Sequence, residues 1–115
     1  MKKILRLTLT IVLVTTLAAC GAKPIIYKDG TYEGNAEGHI GNIKVQVVTD
    51  QYDIKEIVIL EQQETPVVAD IVYDKIPARV IKENSSEVDV VAGATYTSKA
   101  LIKAIKDGLN KAILE

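Results

Sequence analysis

Apolar and polar residues alternate most regularly between Ile43 and Thr49. Ile43, Val45 and Val47 fall on one face, Lys44 and Gln46 on the other. This period of two predicts a strand with one buried face. Ile54 to Glu61 is richer in β-branched residues (Ile54, Ile57, Val58, Ile59) and predicts a second strand. Asp50-Gln51-Tyr52-Asp53 lies between them as a hairpin-type connection, so the two should pair antiparallel. Thr31 and Tyr32, after the Asp29-Gly30 turn signal, suit a short strand that brings the sheet to three.

The pattern then lengthens towards the helical period. Thr65 before Pro66 reads as an N-cap and first-turn pair, followed by Val68, Ile71, Val72 and Ile76. Pro77 should end or kink this helix and start a second one reaching about Glu83. After a polar loop, Val88 to Val91 predicts a short approach strand. The last helix is expected from about Lys99 to Ile113, with Ser98 as N-cap. Leu101, Ile105, Leu109 and Ala112 or Ile113 form its apolar stripe, while Lys99, Lys103, Lys106 and Lys111 face solvent. The expected fold is α+β: a small antiparallel sheet packed against two or three helices, the last one C-terminal.

The N-terminal region has a different character. Lys2, Lys3 and Arg6 precede a short apolar run from Leu7 to Leu17, which ends at Leu17-Ala18-Ala19-Cys20-Gly21. The run is short of the ~20 apolar residues of a membrane span, and small residues at its end mark an export leader. The only cysteine of the chain falls at this point, so the segment resembles the lipobox of bacterial lipoproteins. That resemblance implies cleavage before Cys20 and lipid on its thiol. The domains read as 1–19 leader, 20–28 lipidated tether and 29–115 folded domain. The implied place is the outer face of the bacterial cell membrane, held to the bilayer through Cys20.

Composition removes several function classes. A formal net charge of -1 with mixed signs gives no reason to expect a nucleic-acid partner. His39 is the only histidine; no nucleophile elbow accompanies it to suggest a Ser-His-Asp set, and with the one thiol committed to lipid it has no partner for a metal site. Gly34, Gly38 and Gly41 lack the Gly-Lys-Ser/Thr ending of a phosphate loop. Phe and Trp are absent and all five aromatics are Tyr, so the core must come from Ile, Val, Leu and Ala.

The chemistry concentrates in Asp89-Val90-Val91-Ala92-Gly93-Ala94-Thr95-Tyr96-Thr97-Ser98. Gly93 and Ala94 offer little bulk to an approaching flat ligand. Thr95, Thr97 and Ser98 offer hydroxyls beside a helix start, which favours a phosphate. The plain reading of the same residues is a tight turn followed by a Ser cap.

This stretch resembles the flavin-attachment motif of the FMN-binding domain family: an Asp, a few residues, Ser or Thr, Gly-Ala-Thr, any residue, then Thr or Ser. The Asp-Gly-x-Tyr-x-Gly run at 29–34 and Glu64-Thr65-Pro66 extend the likeness over most of residues 29–112. Ala92 departs from the pattern where the family usually has a hydroxyl. The resemblance implies an extracytoplasmic electron carrier with FMN joined covalently, as a phosphoester, by a dedicated flavin transferase. Thr95 is then the acceptor and Thr97 the alternative. Gly93 and Ala94 allow approach, Thr97 and Ser98 hold phosphate oxygens, Asp89 serves the transferase or the turn, and Tyr96 shields the ring or packs in the core. His39 in its Gly-rich loop reads as a solvated residue, and Glu64 and Thr65 as the start of a helix rather than flavin contacts. The implied partners are the transferase, the bilayer, and a membrane quinone- or NADH-linked redox complex as electron source. Three other readings stay open: noncovalent FMN, a cofactor-free binding module of the same fold, and an accessory subunit of a membrane complex.

Overall fold

A computed structural model of the chain describes residues 24–114; the expected leader and lipidated Cys20 lie outside the described residues. Three strands, β1 (Gly30–Glu37), β2 (Asn42–Thr49) and β3 (Ile54–Glu61), form an antiparallel sheet in the order β1-β2-β3. Two helices follow, α1 (Pro66–Glu83) and α2 (Thr95–Ala112). The expected α+β architecture is what forms, with two helices. Among the described residues no helix is long and apolar enough to cross a membrane.

The alternation in β2 places Ile43, Val45, Val47 and Thr49 in the interior. Register carries that face sideways: Val45 lies opposite Gly34 and Ile59, and Val47 opposite Tyr32 and Ile57. On α2 the stripe Leu101, Ile105, Leu109 and Ala112 is buried, with Ala100 and Ala104 beside it, whereas Ile113 is exposed. Every buried hydrophobic side chain among the described residues lies between Tyr27 and Ala112, so the folding unit is contained within that span.

Three expectations need correction. The first strand runs on through Gly34 to Glu37, because Gly34 is where α2 crosses. A Cβ at Gly34 would overlap the Ala104 carbonyl oxygen and the Gly108 backbone. Pro77 does not divide the helical segment: α1 passes through it without interruption. Pro77 lacks the amide needed for one ladder bond. Val72, Ile76, Pro77 and Val80 are all buried, and this packing on both sides of the proline holds the helix together. Finally, Val88–Val91 forms no strand and lies outside the sheet. It is held instead by Arg79, whose guanidinium donates to the Asp89 carbonyl at 2.8 Å.

The end of the molecule where the chain enters is tied by backbone and amide groups. Residues 26–28, expected in the tether, are docked on the domain. The amides of Ile26 and Tyr27 both donate to the Gln51 carbonyl, Lys28 donates to that of Ala112, and Tyr27 bridges Ile113. Asn84 ends α1 in the left-handed conformation (φ 52°), which Asn tolerates better than most residues. Its side chain accepts from the Ile54 amide and donates to the Tyr52 carbonyl, both at 2.8 Å. The Tyr27 hydroxyl donates to the Asn84 carbonyl.

The Gly34 crossing generates one prediction. Gly34→Ala should destabilise the domain by about 3 kcal/mol or more, since backbone rather than a flexible side chain must move. At Gly108 a Cβ would meet its nearest neighbours at 3.1–3.4 Å. There the helix-propensity gain of up to ~1 kcal/mol works against the crowding on the Gly34 and Glu33 backbone, so Gly108→Ala should destabilise clearly less than Gly34→Ala. Urea unfolding of both variants checks the pair.

The tyrosines generate a second. Burial, then the Glu64 charge, pushes the Tyr73 hydroxyl up to about 12, and burial, then Asp53, raises that of Tyr27. A folded-state value above the unfolded ~10 means the native chain keeps protons that the unfolded chain releases. The resulting stability is complete below about pH 10 and is lost as pH rises towards 12. Urea midpoints between pH 8 and 12 should fall, and less steeply in Tyr73→Phe.

Candidate functional site

The stretch 89–98 is shaped by its one serine. Val91, Ala92, Gly93 and Ala94 make a turn closed by the Ala94 amide donating to the Val91 carbonyl at 3.0 Å. Gly93 at its third position has φ +82°, the value a type II turn requires there. A Cβ at Gly93 would meet nothing within 4 Å, so the space beside this turn is open. The Ser98 hydroxyl accepts from the Val91 amide at 3.0 Å, and Ser98 is fully buried.

Ser98 is therefore not the helix cap. α2 begins four residues before the expected start, at Thr95, and its N-cap is Ala94, whose methyl group cannot cap. The first backbone bond of the helix runs from the Ser98 amide to the Ala94 carbonyl. The amides of Thr95, Tyr96 and Thr97 precede it and are the N–H groups that a helix start leaves without intrahelical partners. They point out of the positive end of the helix dipole. Ser98 was expected to hold phosphate oxygens. Its hydroxyl is turned inward and its amide is used within the helix, so it builds the turn instead.

A cleft of about 230 Å³ opens in front of this helix end, lined by Gly93, Ala94, Thr95, Tyr96 and Thr97 together with His39, Glu64, Thr65 and Val68. Thr95 is exposed at its mouth, whereas Thr97 is buried. Tyr96 is 62% exposed and stands edge-on to His39, ring centroids 5.1 Å apart. It lines the cleft and does not pack in the core. Asp89 is not brought to the cleft. It lies on the surface in a separate groove with Arg79, Lys82 and Glu87. Ala92 is exposed and does not line the cleft, so its missing hydroxyl is not a gap in the wall.

His39, Glu64, Thr65 and Val68 are the residues that sequence reasoning placed elsewhere. Glu64 explains how they come together. Its carboxylate, buried at the start of α1, accepts from the amides of His39 at 2.7 Å and Ile40 at 2.9 Å. The turn between β1 and β2 is thereby pinned to the helix, and His39 is set over the cleft. Gly38 permits this, since a Cβ there would press on the Glu64 carboxylate. The available signal was the Glu64-Thr65-Pro66 triplet, which read first as a helix start. Among the described residues no group of three His, Cys, Asp or Glu side chains is placed to hold a metal ion.

Such a site fits a phosphate-bearing planar cofactor. The free amides and the dipole suit the phosphate, the open turn at Gly93 suits close approach, and His39, Tyr96 and Val68 offer surface to a ring. Known proteins share this arrangement of sequence. The chain is 32% identical over 92 residues to an uncharacterized protein of Treponema pallidum, covering 80% of this chain and 26% of that one. It is 27% identical over 89 residues to the NADH:acrylate oxidoreductase of Vibrio harveyi, covering 77% and 9%. It is 30% identical over 79 residues to the urocanate reductase of Eggerthella lenta, covering 69% and 13%. The chain thus spans about a quarter or less of the length of these relatives. Residues 38–110, which include the cleft, α1 and all but the last two residues of α2, match the FMN-binding domain model, and the chain belongs to the FMN-binding domain family.

Proposed function

We propose that the domain carries FMN as a phosphoester on Thr95 and relays electrons outside the cytoplasm, anchored to the membrane through Cys20. The observation that carries this reading is the uncapped start of α2, with an exposed threonine at the mouth of a cleft built from three separate elements. Thr95 Oγ would form the bond to phosphorus, losing its proton as a flavin transferase releases the leaving group of an activated flavin nucleotide. The Thr95, Tyr96 and Thr97 amides would hold the phosphate oxygens. Tyr96 and His39 would border the ring, and Val68 would give it apolar contact. Bound flavin supplies the one- and two-electron chemistry that no side chain here provides.

The size of the cleft favours a covalent bond over a noncovalent one. At about 230 Å³ it is smaller than the ~300–1,000 Å³ of pockets that enclose a ligand. A cofactor held so openly outside the cell would be lost to dilution. A bond to the chain makes its local concentration independent of the surroundings. The same openness leaves a ring edge accessible to a donor or acceptor. Two relatives are a reductase and an oxidoreductase by name, and each matches more than two thirds of this chain's length. That sharing supports electron transfer as the role; the source we propose is a membrane quinone- or NADH-linked complex.

The chain made beside an active flavin transferase should gain the mass of FMN minus water, retained in denaturant and mapped to residues 89–98. Thr95→Ala should abolish the gain, and Thr97→Ala should retain it. The opposite result moves the acceptor to Thr97, and colour released by denaturant shows noncovalent binding. Glu64→Gln should keep the added mass but loosen the cleft wall. One of two charge-assisted bonds is lost, at about 1.5–3 kcal/mol, so the 38–41 amides should exchange faster with deuterium than in the parent.

A further inference from the structure

The cleft and the chain entry occupy opposite poles. The β1–β2 turn and the starts of α1 and α2 meet at the cleft. The β2–β3 turn, the Asn84 end of α1 and the Ala112 end of α2 meet around Tyr27. Each helix has 18 residues and each strand 8, so the poles stand about 25 Å apart along every element.

At the entry pole, four aliphatic side chains stand out together: Ile25, Ile26, Ile113 and Leu114, each 42–50% exposed. Backbone contacts hold the two segments side by side, with the Leu114 amide donating to the Ile26 carbonyl and Tyr27 bridging Ile113. The patch therefore spans both ends of the folding unit. Charges around it are mixed. Lys28 and Lys55 stand against Asp29, Asp50 and Asp53, with Lys55 paired to Asp50 at 3.4 Å.

We propose that this patch rests on the lipid bilayer and seats the domain base-down, with the flavin cleft aimed away from the membrane. The proposal rests on the anchoring through Cys20 proposed above. Cys20 is five residues before Ile25, a reach of about 17 Å when extended, so an acylated Cys20 keeps the patch within contact of the lipid surface. Docking of residues 26–28 shortens the tether and restricts the tumbling that a longer free linker would allow. With no charge of one sign surrounding the patch, the contact is apolar and needs no anionic lipid. A partner in the aqueous phase then meets the cleft, while the membrane meets the opposite end.

The test uses the mature chain from Cys20, which contains the whole folding unit, coupled through its single thiol to a maleimide lipid. The carrier is a phosphatidylcholine nanodisc containing a gadolinium-headgroup lipid. Amide signals of residues 25–28, 51–52 and 113–114 should weaken several-fold more than those of 39–40 and 93–97. The double variant Ile25→Ser/Leu114→Ser should lose this contrast with an unchanged melting temperature. Uniform weakening in the parent, weakening centred on 93–97, or a contrast that survives in the double variant overturns the seating. So does a dimer of the untethered chain that the double variant abolishes, which would assign the patch to a second copy. The mass of the Cys20 peptide from cells tests anchoring separately. An unacylated Cys20 with seating intact defeats the anchor alone, and acylation without seating defeats this proposal alone.

Discussion

The close crossing of α2 over β1 sets the rest of the structure. With hydrogen in place of side chains at Gly34 and Gly108, helix and strand approach to backbone distance. This fixes α2 in both translation and rotation. Leu101, Ile105 and Leu109 then point into the sheet, and the helix start is carried to the turn that bears His39. Polar bonds along the same seam reinforce the placement. Asp107 accepts from the Asn35 amide at 3.0 Å, and Lys111 donates to the Glu33 carbonyl at 2.6 Å. The position of Thr95 is thus decided roughly two and a half to four and a half helical turns away from it.

The cleft is made by elements that end, not by elements that continue. Two helix starts and one strand turn converge, and each brings backbone amides. Glu64 uses its carboxylate to satisfy two of these, on the strand turn. The start of α2 is left without such a partner from its own N-cap. One amide cluster is therefore consumed by the fold while the neighbouring one stays available. Both clusters lie in the same small cleft, and the proposed phosphate position rests on that contrast.

Much of this was legible in the sequence, and the failures have physical causes. β2 and β3 were readable because a period of two is imposed wherever one face is buried. The α2 stripe was readable for the corresponding helical reason. The Gly-Ala-Thr run located the cleft. What could not be read depends on partners distant in the chain. Gly34 looked like punctuation because its reason, the backbone of Gly108, lies far along the sequence. Pro77 looked like a break because the packing that holds α1 together comes from the sheet and α2. Ser98 looked like a cap because Ser usually caps. Here its hydroxyl closes a turn that precedes it by seven residues. His39 is exposed, as expected of a loop residue, but its place over the cleft was not legible because the carboxylate that positions it belongs to a different element.

The pairing of Tyr27 with Ile113 has a consequence for how such a domain is distributed among proteins. Both ends of the folding unit leave from one spot, facing the same way. A unit of that kind can be spliced into a host polypeptide like a bead on a closed loop, without rerouting any strand or helix. The far pole, with its cleft, is untouched by whatever is joined at the near one. The module's appearance as a minor fraction of three much longer chains agrees with that architecture. Evolution can change the cargo on one side of the junction without renegotiating the chemistry on the other.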